Sequence, residues 1–319
     1  MSRLSDLGEK AVVGEVISRL ASQGVMGVGD DAACIRLGSR YLVVSTDLIS
    51  KRTHIPDRMT FRQIGWMATA VNLSDLAAMG ATPIGVVMAM GLPRELDNTS
   101  MMEIVDGIME CCGWASASYL GGDTKETPEI TIAGTSFGIV RSDGLLRRSG
   151  ARPGDLLAVT GTVGLAGAGF LEMDLDEFDE KARSAALEPR PRIKEGTIMS
   201  SSGAVTSCMD TSDGLAMSVH ELAGASRVGF EVFMKDIPID PSAARVCRRM
   251  GVPTEEVALF SGGDYQLLFT VDPSELGKLR SMLGDGFKVI GRAVEPEAIV
   301  LVDGPYDHLP RKGYEHFKG

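Results

Sequence analysis

The sequence predicts an α+β protein of two domains, and three observations carry that prediction. The length of 319 residues suits roughly two domains and is ample for a sizeable core. Strand-like and helix-like runs mix without the strict alternation of a doubly wound parallel sheet. A polar, turn-rich stretch from Arg147 to Asp155, with Gly150, Pro153 and Gly154 inside it, interrupts them near mid-chain. The boundary falls there, giving domains 1–148 and 149–319.

The elements follow from period and punctuation. Val13, Val16, Ile17 and Leu20 form an i, i+3, i+4, i+7 stripe on a helix from about Glu9. Ala32–Leu37 and Tyr41–Thr46 read as strands of a hairpin joined by Gly38-Ser39. Thr60 to Met79 reads as a long helix stopped by Gly80 and Pro83. A buried strand over Ile84–Met90, a helix over Glu95–Ser116 and a strand leading into Gly121-Gly122 come next. Glu129–Val140 is a long strand, with Gly134 the expected site of a bulge. In the second half, strands are expected at Leu156–Thr160, Val228–Phe233, Tyr265–Val271, Phe287–Arg292 and Ile299–Val302. Helices are expected at Leu165–Leu187, Arg192–Ser201, after Gly214, and at Ser274–Leu283.

Composition excludes several function classes. Asp and Glu total 43 against 32 Lys and Arg, a formal net charge of −11, so neither nucleic acid nor an anionic membrane is an expected partner. The N-terminal residues lack the apolar core of a secretory signal, and the most apolar stretch, Ile84–Leu92, is too short to span a bilayer. Cys34, Cys111, Cys112, Cys208 and Cys247 form no CxxC pair, which fits reduced thiols and a cytoplasmic location. The 38 glycines exceed the usual share of roughly 7% and point to tight turns and close backbone approaches.

The informative feature is where aspartate recurs. It stands in Gly29-Asp30-Asp31-Ala32, Ser45-Thr46-Asp47, Asn72-Leu73-Ser74-Asp75, Gly121-Gly122-Asp123-Thr124, Asp210-Thr211-Ser212-Asp213-Gly214 and Ser261-Gly262-Gly263-Asp264. Each group begins or ends an apolar segment, so a scaffold element delivers each carboxylate. Singly, each is a turn or a helix cap. Together they need a cation, and short oxygen-only ligands suit Mg²⁺. No His or Cys cluster suggests zinc or iron. Paired glycines beside the carboxylates offer bare N–H groups to phosphate oxygens. That is equipment for phosphoryl transfer, yet GxxxxGK[ST], HRD and DFG are all missing. The residues by themselves point to a metal-rich phosphate enzyme of a non-Walker type.

The order and spacing of the clusters resemble the thiamine-monophosphate kinase family, in the superfamily that includes aminoimidazole ribonucleotide synthetase and selenophosphate synthetase. The resemblance runs from Gly29-Asp30-Asp31 to Gly313-Tyr314-Glu315-His316-Phe317. Its most specific parts are Ser45-Thr46-Asp47-Leu48, Val71 to Ala81, Gly121-Gly122-Asp123-Thr124 and Asp210-Thr211-Ser212-Asp213-Gly214-Leu215. It implies a synthetase-like fold: an N-terminal mixed sheet that binds ATP and Mg²⁺ and pairs across a homodimer, and a C-terminal α/β sandwich that completes the active site. It also implies ATP-dependent conversion of thiamine monophosphate to thiamine diphosphate.

Carried onto this chain, Asp30, Ser45, Thr46, Asp47, Asp75, Asp123, Asp210 and Asp213 resemble the Mg²⁺ ligands. Gly121, Gly122, Asp123, Arg148 and Ser212 match positions near ATP, and His54, Gly263, Asp264 and Tyr314 match positions near the substrate. No general base is expected, because the accepting phosphate oxygen is already anionic at neutral pH. Two departures stand out. Lys51-Arg52-Thr53-His54 is basic where the family has Glu-Gly before its histidine, and the family's acidic position falls on Gly263. Asp264 then either substitutes for that acid or is structural. Another ATP-using enzyme of the superfamily, or a non-catalytic nucleotide or thiamine-phosphate sensor, are the competing readings.

Overall fold

The computed structural model describes residues 3–20, 26–295 and 298–317. The first half runs α1 (Leu4–Leu7), α2 (Glu9–Leu20), β1 (Ala33–Leu37), β2 (Arg40–Ser50), α3 (Phe61–Ala78), β3 (Thr82–Leu92), α4 (Asn98–Trp114), β4 (Ser118–Glu126) and β5 (Thr131–Arg141). Its five strands form one sheet in the order β1-β2-β5-β3-β4. All neighbours are antiparallel except β3 and β4, which are parallel.

After residues 142–155 the second half runs β6 (Leu156–Thr160), α5 (Leu165–Leu171), α6 (Glu180–Leu187), α7 (Ile193–Ser202), β7 (Val205–Asp210), α8 (Leu215–Ser226) and β8 (Gly229–Phe233). It continues with α9 (Pro241–Met250), α10 (Thr254–Phe260), β9 (Leu267–Val271), α11 (Leu276–Leu283), β10 (Phe287–Val294) and β11 (Ile299–Val302). Its six strands take the order β11-β8-β10-β6-β9-β7. Helices cover both faces. Leu215, Val219 and Leu222 of α8 pack with Leu157, Phe230 and Leu268, while Met199 of α7 and Leu279 of α11 pack with Ala158, Phe269 and Phe287. Two mixed sheets with segregated helices match the predicted α+β class.

The helix α3 links the two halves. Thr60 caps it by accepting from the Gln63 amide at 3.2 Å, and the Gln63 side chain returns the favour to the Thr60 amide at 3.1 Å. Gly80, with φ +69°, ends it. Nearly every residue from Ile64 to Ala78 is buried, because one side lies on the first sheet and another meets β7 and α7. A surface helix would carry a polar stripe. This one is enclosed, so its Asn72, Ser74 and Asp75 are polar groups placed in an interior.

Three local expectations need correction. Gly134 sits in unbroken register with Asp47 and Met88 rather than in a bulge. A Cβ there would lie 2.3 Å from the Asn72 amide nitrogen, so the glycine lets α3 press a polar side chain against the strand. The helix expected over 165–187 breaks into α5 and α6, because Glu172 turns inward and Asp179 caps α6 by accepting from the Ala182 amide at 3.1 Å. The strand β7 and the helices α9 and α10 went unanticipated. In α9, Asp240 is the N-cap and Pro241 fills the first turn.

Candidate active site

Strand pairing and helix period converge on one place. The strand β1 ends opposite Val44, so the outward amides of β2 beyond that point lack a strand partner. Asn72 Oδ1 takes the Asp47 amide at 3.0 Å, while Asn72 Nδ2 donates to the Ala68 carbonyl at 2.9 Å. Because side chains alternate along a strand, Ser45 and Asp47 face α3 and Thr46 faces the other way. Thr46 Oγ1 donates to the Gly134 carbonyl at 2.7 Å. Of that triplet, Ser45 and Asp47 reach the site: the Ser45 hydroxyl donates to Asp75.

Asp75 lies one helical turn from Asn72, on the same face of α3. Its neighbour Ser74 donates to Asp210 Oδ2 at 2.6 Å, tying α3 to the end of β7. Ser212 donates to Asp210 Oδ1 from its amide at 3.2 Å and its hydroxyl at 2.8 Å. Asp31, Asp75 and Asp210 each offer one carboxylate oxygen, all within 4.8 Å of one another. The sequence pointed to Asp30 and not to Asp31, whose carboxylate is the one that meets Asp75 and Asp210. Asp30 instead accepts from the Arg148 amide at 2.9 Å and Arg147 Nε at 3.0 Å. The Arg148 guanidinium grips Asp31 with two bonds, at 3.0 and 3.2 Å.

Carboxylates this close repel, and burial raises the stakes. Burial pushes Asp210 up to about 6, with the Asp31 charge adding to it and bonds from Ser74 and Ser212 opposing. Burial also raises Asp47, with a hydrogen bond to Asp75 opposing. Asp75 rises well above the carboxylate range through burial, then through Asp47 and Asp210. Burial works against the Arg148 charge, but Asp31, Asp210 and Glu221 hold its pKa above the usual arginine value. Arg148 is one fixed cation against a larger group of acids. The donor set is all oxygen, and its shortage of positive charge fits a hard divalent cation.

Asp47, Asp75, Asp210 and Asp213 line one wall of a cavity of about 960 Å³. Its lining also carries His54, Tyr314 and His316, with Phe170 and Gly263 beside α5. The rings of His54 and His316 lie 5.2 Å apart, and those of Tyr314 and His316 meet edge to face at 4.9 Å. Burial, then the neighbouring His316, lowers His54 to about 4, so it is uncharged at neutral pH. The basic loop lies beside His54: Lys51 and Arg52 line the cavity, and Lys51 pairs with Asp57 at 2.6 Å. Glu9 and His316 also line it. Neither carried a functional reading in the sequence, where nothing links a helix at residue 9 with a tail at residue 316.

Asp264 has a structural post. It accepts from the Gly164 and Ala166 amides at 2.5 and 2.9 Å, anchoring the start of α5. Burial raises it to about 6, with those backbone bonds opposing. Gly263 turns with φ +94°, and a Cβ there would meet Phe170 at 3.2 Å.

Gly121, Gly122 and Asp123 stand apart from the carboxylate group, on the edge strand β4. Asp47, Gly134, Met88 and Gly122 occupy one row across the sheet, so β4 lies three strand spacings, about 14 Å, from β2. Asp123 is 63% exposed and pairs with Lys125 at 3.1 Å. Gly122 is needed for strand packing: a Cβ would lie 1.7 Å from the Met88 carbonyl oxygen.

Comparison with known proteins gives a consistent outcome. Residues 29–140 match the family described as AIR synthase related protein, N-terminal domain, and residues 152–304 match its C-terminal domain. The thiamine-monophosphate kinase of Methanospirillum hungatei is 40% identical over 90% of this chain and 92% of its own. That of Pyrococcus horikoshii is 33% identical, covering 92% and 91%. Among solved structures, AaThiL complexed with AMPPCP and TMP superposes with a TM-score of 0.88 at 27% identity, covering 99% of both chains.

Proposed function

The chain belongs to the thiamine-monophosphate kinase family, and on that premise we propose that it transfers the γ-phosphoryl group of ATP to thiamine monophosphate, giving thiamine diphosphate. The observation that carries the reading is the cavity with its unlike linings. One part of its lining is a set of cation-deficient carboxylates; another carries the rings of His54, Tyr314 and His316 beside Lys51 and Arg52, with His54 itself uncharged. A thiazolium ring is a cation that favours aromatic faces and would be repelled by a protonated histidine. Neutral His54 and Tyr314 suit it. The substrate phosphate then points toward the carboxylates.

Mg²⁺ fits the donor set, and when bound it would neutralise charge on the phosphates and orient them. Asp31, Asp47, Asp75, Asp210 and Asp213 are the residues that would hold it here, with Ser45 in support of Asp75. Asp30 acts at one remove, by fixing the Arg147–Arg148 segment. Arg148, Ser212 and the Gly121-Gly122-Asp123 strand are assigned to ATP, Asp123 as a further carboxylate for the metal–nucleotide complex and Thr46 at the sheet face between them. An anionic acceptor needs no general base. The reading is direct in-line transfer without a phosphoenzyme, with electrostatic positioning as the main contribution.

Incubation with ATP, Mg²⁺ and thiamine monophosphate should yield thiamine diphosphate. ATP binding without product would favour a sensor, and trapped phosphoprotein from γ-labelled ATP would exclude direct transfer.

A homodimer through the first sheet is part of the same proposal. The face of that sheet opposite α3 and α4 is uncovered and apolar: Leu48 is 53% and Leu120 55% exposed, beside Ile35, Leu37 and Ile84. Light scattering should give a mass twice that of the chain, and Leu48→Glu should halve it. Five free, buried cysteines support a reducing, cytoplasmic setting. Among the described residues no helix is long and apolar enough to cross a membrane.

A further inference from the structure

The N-terminal helix α2 buries none of its residues, so polar contacts at its start hold it in place. The Glu9 amide donates to the His316 carbonyl at 3.3 Å, and the His316 amide donates back to Glu9 Oε2 at 3.1 Å. The Lys10 amide donates to Glu315 Oε1 at 3.4 Å. The tail is fixed in turn by the Tyr314 amide, which donates to the Asp213 carbonyl at 3.0 Å. This clasp between the two ends of the chain brings Lys10 to the carboxylate wall. Lys10 Nζ donates to Asp213 Oδ2 at 2.5 Å, with both side chains about a third exposed, at 30% and 31%.

The pairing is a poor resting place for both groups once ligands arrive. A partly exposed ion pair contributes little by itself. A divalent cation drawn to the neighbouring carboxylates would compete for the same Asp213 oxygen, since hard cations take oxygen ligands. The ammonium sits on a flexible four-carbon stem and carries three donors, so it can swing to an adjacent anion. The cavity wall formed by Glu9, Asp213 and Tyr314 is where the substrate phosphate would lie. We propose that Lys10 is a substrate-phosphate ligand, parked on Asp213 and released to the phosphate when a divalent cation takes that carboxylate. The phosphate half of this inference rests on the kinase reading; the competition for Asp213 does not.

Two readouts test it on the full chain. Mn²⁺ titration followed by electron paramagnetic resonance should show Lys10→Met binding the ion about tenfold tighter than the parent, as a competing cation is lost. In turnover, Lys10→Met should raise KM for thiamine monophosphate about tenfold and leave KM for ATP within about twofold, with Lys10→Arg restoring it. Unchanged or weaker Mn²⁺ binding overturns the competition. KM values that rise together, with a lowered melting temperature, overturn the phosphate role and leave only a structural clasp. If the parent forms no thiamine diphosphate, the kinase reading fails separately. Calorimetry of thiamine monophosphate on the Mn²⁺-loaded protein then decides: weaker binding by Lys10→Met alone supports Lys10, and equal binding by all three proteins refutes it.

Discussion

Two acid-rich regions of this molecule treat buried carboxylates in opposite ways. Beside α5, α6 and α9, Glu172 is fully buried yet meets Arg249 and accepts from the Asp179 amide at 2.6 Å. Asp240, 3% exposed, takes Lys181 at 2.7 Å and the Ser242 amide at 2.9 Å. Asp179 pairs with Arg245 at 2.8 Å, and its pKa lies below the usual range: burial works against this, but the Ala182 amide and Arg245 outweigh it. At the cavity wall, Asp47, Asp75 and Asp210 face one another instead, and all three are pushed upward. One region is balanced by the chain's own cations. The other is left short of positive charge by residues that fold could have neutralised, which marks it as a place for cations from outside.

The comparison can be broken by experiment. The largest effect should come from Asp75→Asn: turnover falls by about a thousandfold or more, as expected when an electrostatic anchor of phosphoryl transfer is removed. The apo protein should be no less stable, since a repelling charge has gone. Turnover near the parent rate would remove Asp75 from the metal set. Asp123→Asn should also abolish turnover at unchanged stability, and retained activity would detach the β4 strand from the nucleotide.

Arg249→Ala should do the reverse. It strands the buried Glu172 carboxylate, and urea denaturation should show a loss of about 2 kcal/mol, below the full cost for a buried pair because Arg249 is 46% exposed. Turnover at permissive temperature should be unaffected. A large fall in turnover would mean that the balanced region serves the chemistry after all.

Asp264 supplies the most graded effect. Its folded pKa of about 6 lies above the ordinary 3.8, so the folded chain holds a proton that the unfolded chain has released between those values. Its contribution to stability is therefore greatest at low pH and declines as pH rises toward 6. Between pH 4.5 and 7 the stability of Asp264→Asn relative to the parent should improve by about 2 kcal/mol, from 1.36 kcal/mol per pH unit. A constant difference across that range would show that Asp264 does not titrate in the α5 anchor.

Much of the site was legible because it was written in local pattern. A carboxylate at the end of an apolar run predicts delivery by a scaffold element, and Asp47, Asp75 and Asp210 are so delivered. What local pattern could not reveal was direction. Asp30 and Asp31 are adjacent and chemically identical, yet backbone geometry turns Asp30 to the Arg147–Arg148 segment and Asp31 to the carboxylates. Thr46 lies between two site residues but points through the sheet. Asp264 reads either as a substitute for the family's acid or as structural, and only the fold shows it accepting from the Gly164 and Ala166 amides at the start of α5.

The sequence by itself determined the two-part α+β organisation, the acidic balance, the hairpin, the capped helix α3 and the identity of the carboxylate clusters. These depend on period, turn chemistry and spacing, all local properties. Only the tertiary structure decided which carboxylates share a field, because Asp31, Asp75 and Asp210 come from a loop, a helix and a strand far apart in the chain. It also decided that residues 9 and 10 meet residues 315 and 316, a contact with no local signal. Repulsion and screening act through space, so the charge that matters at the site is set by packing and not by the overall count of −11.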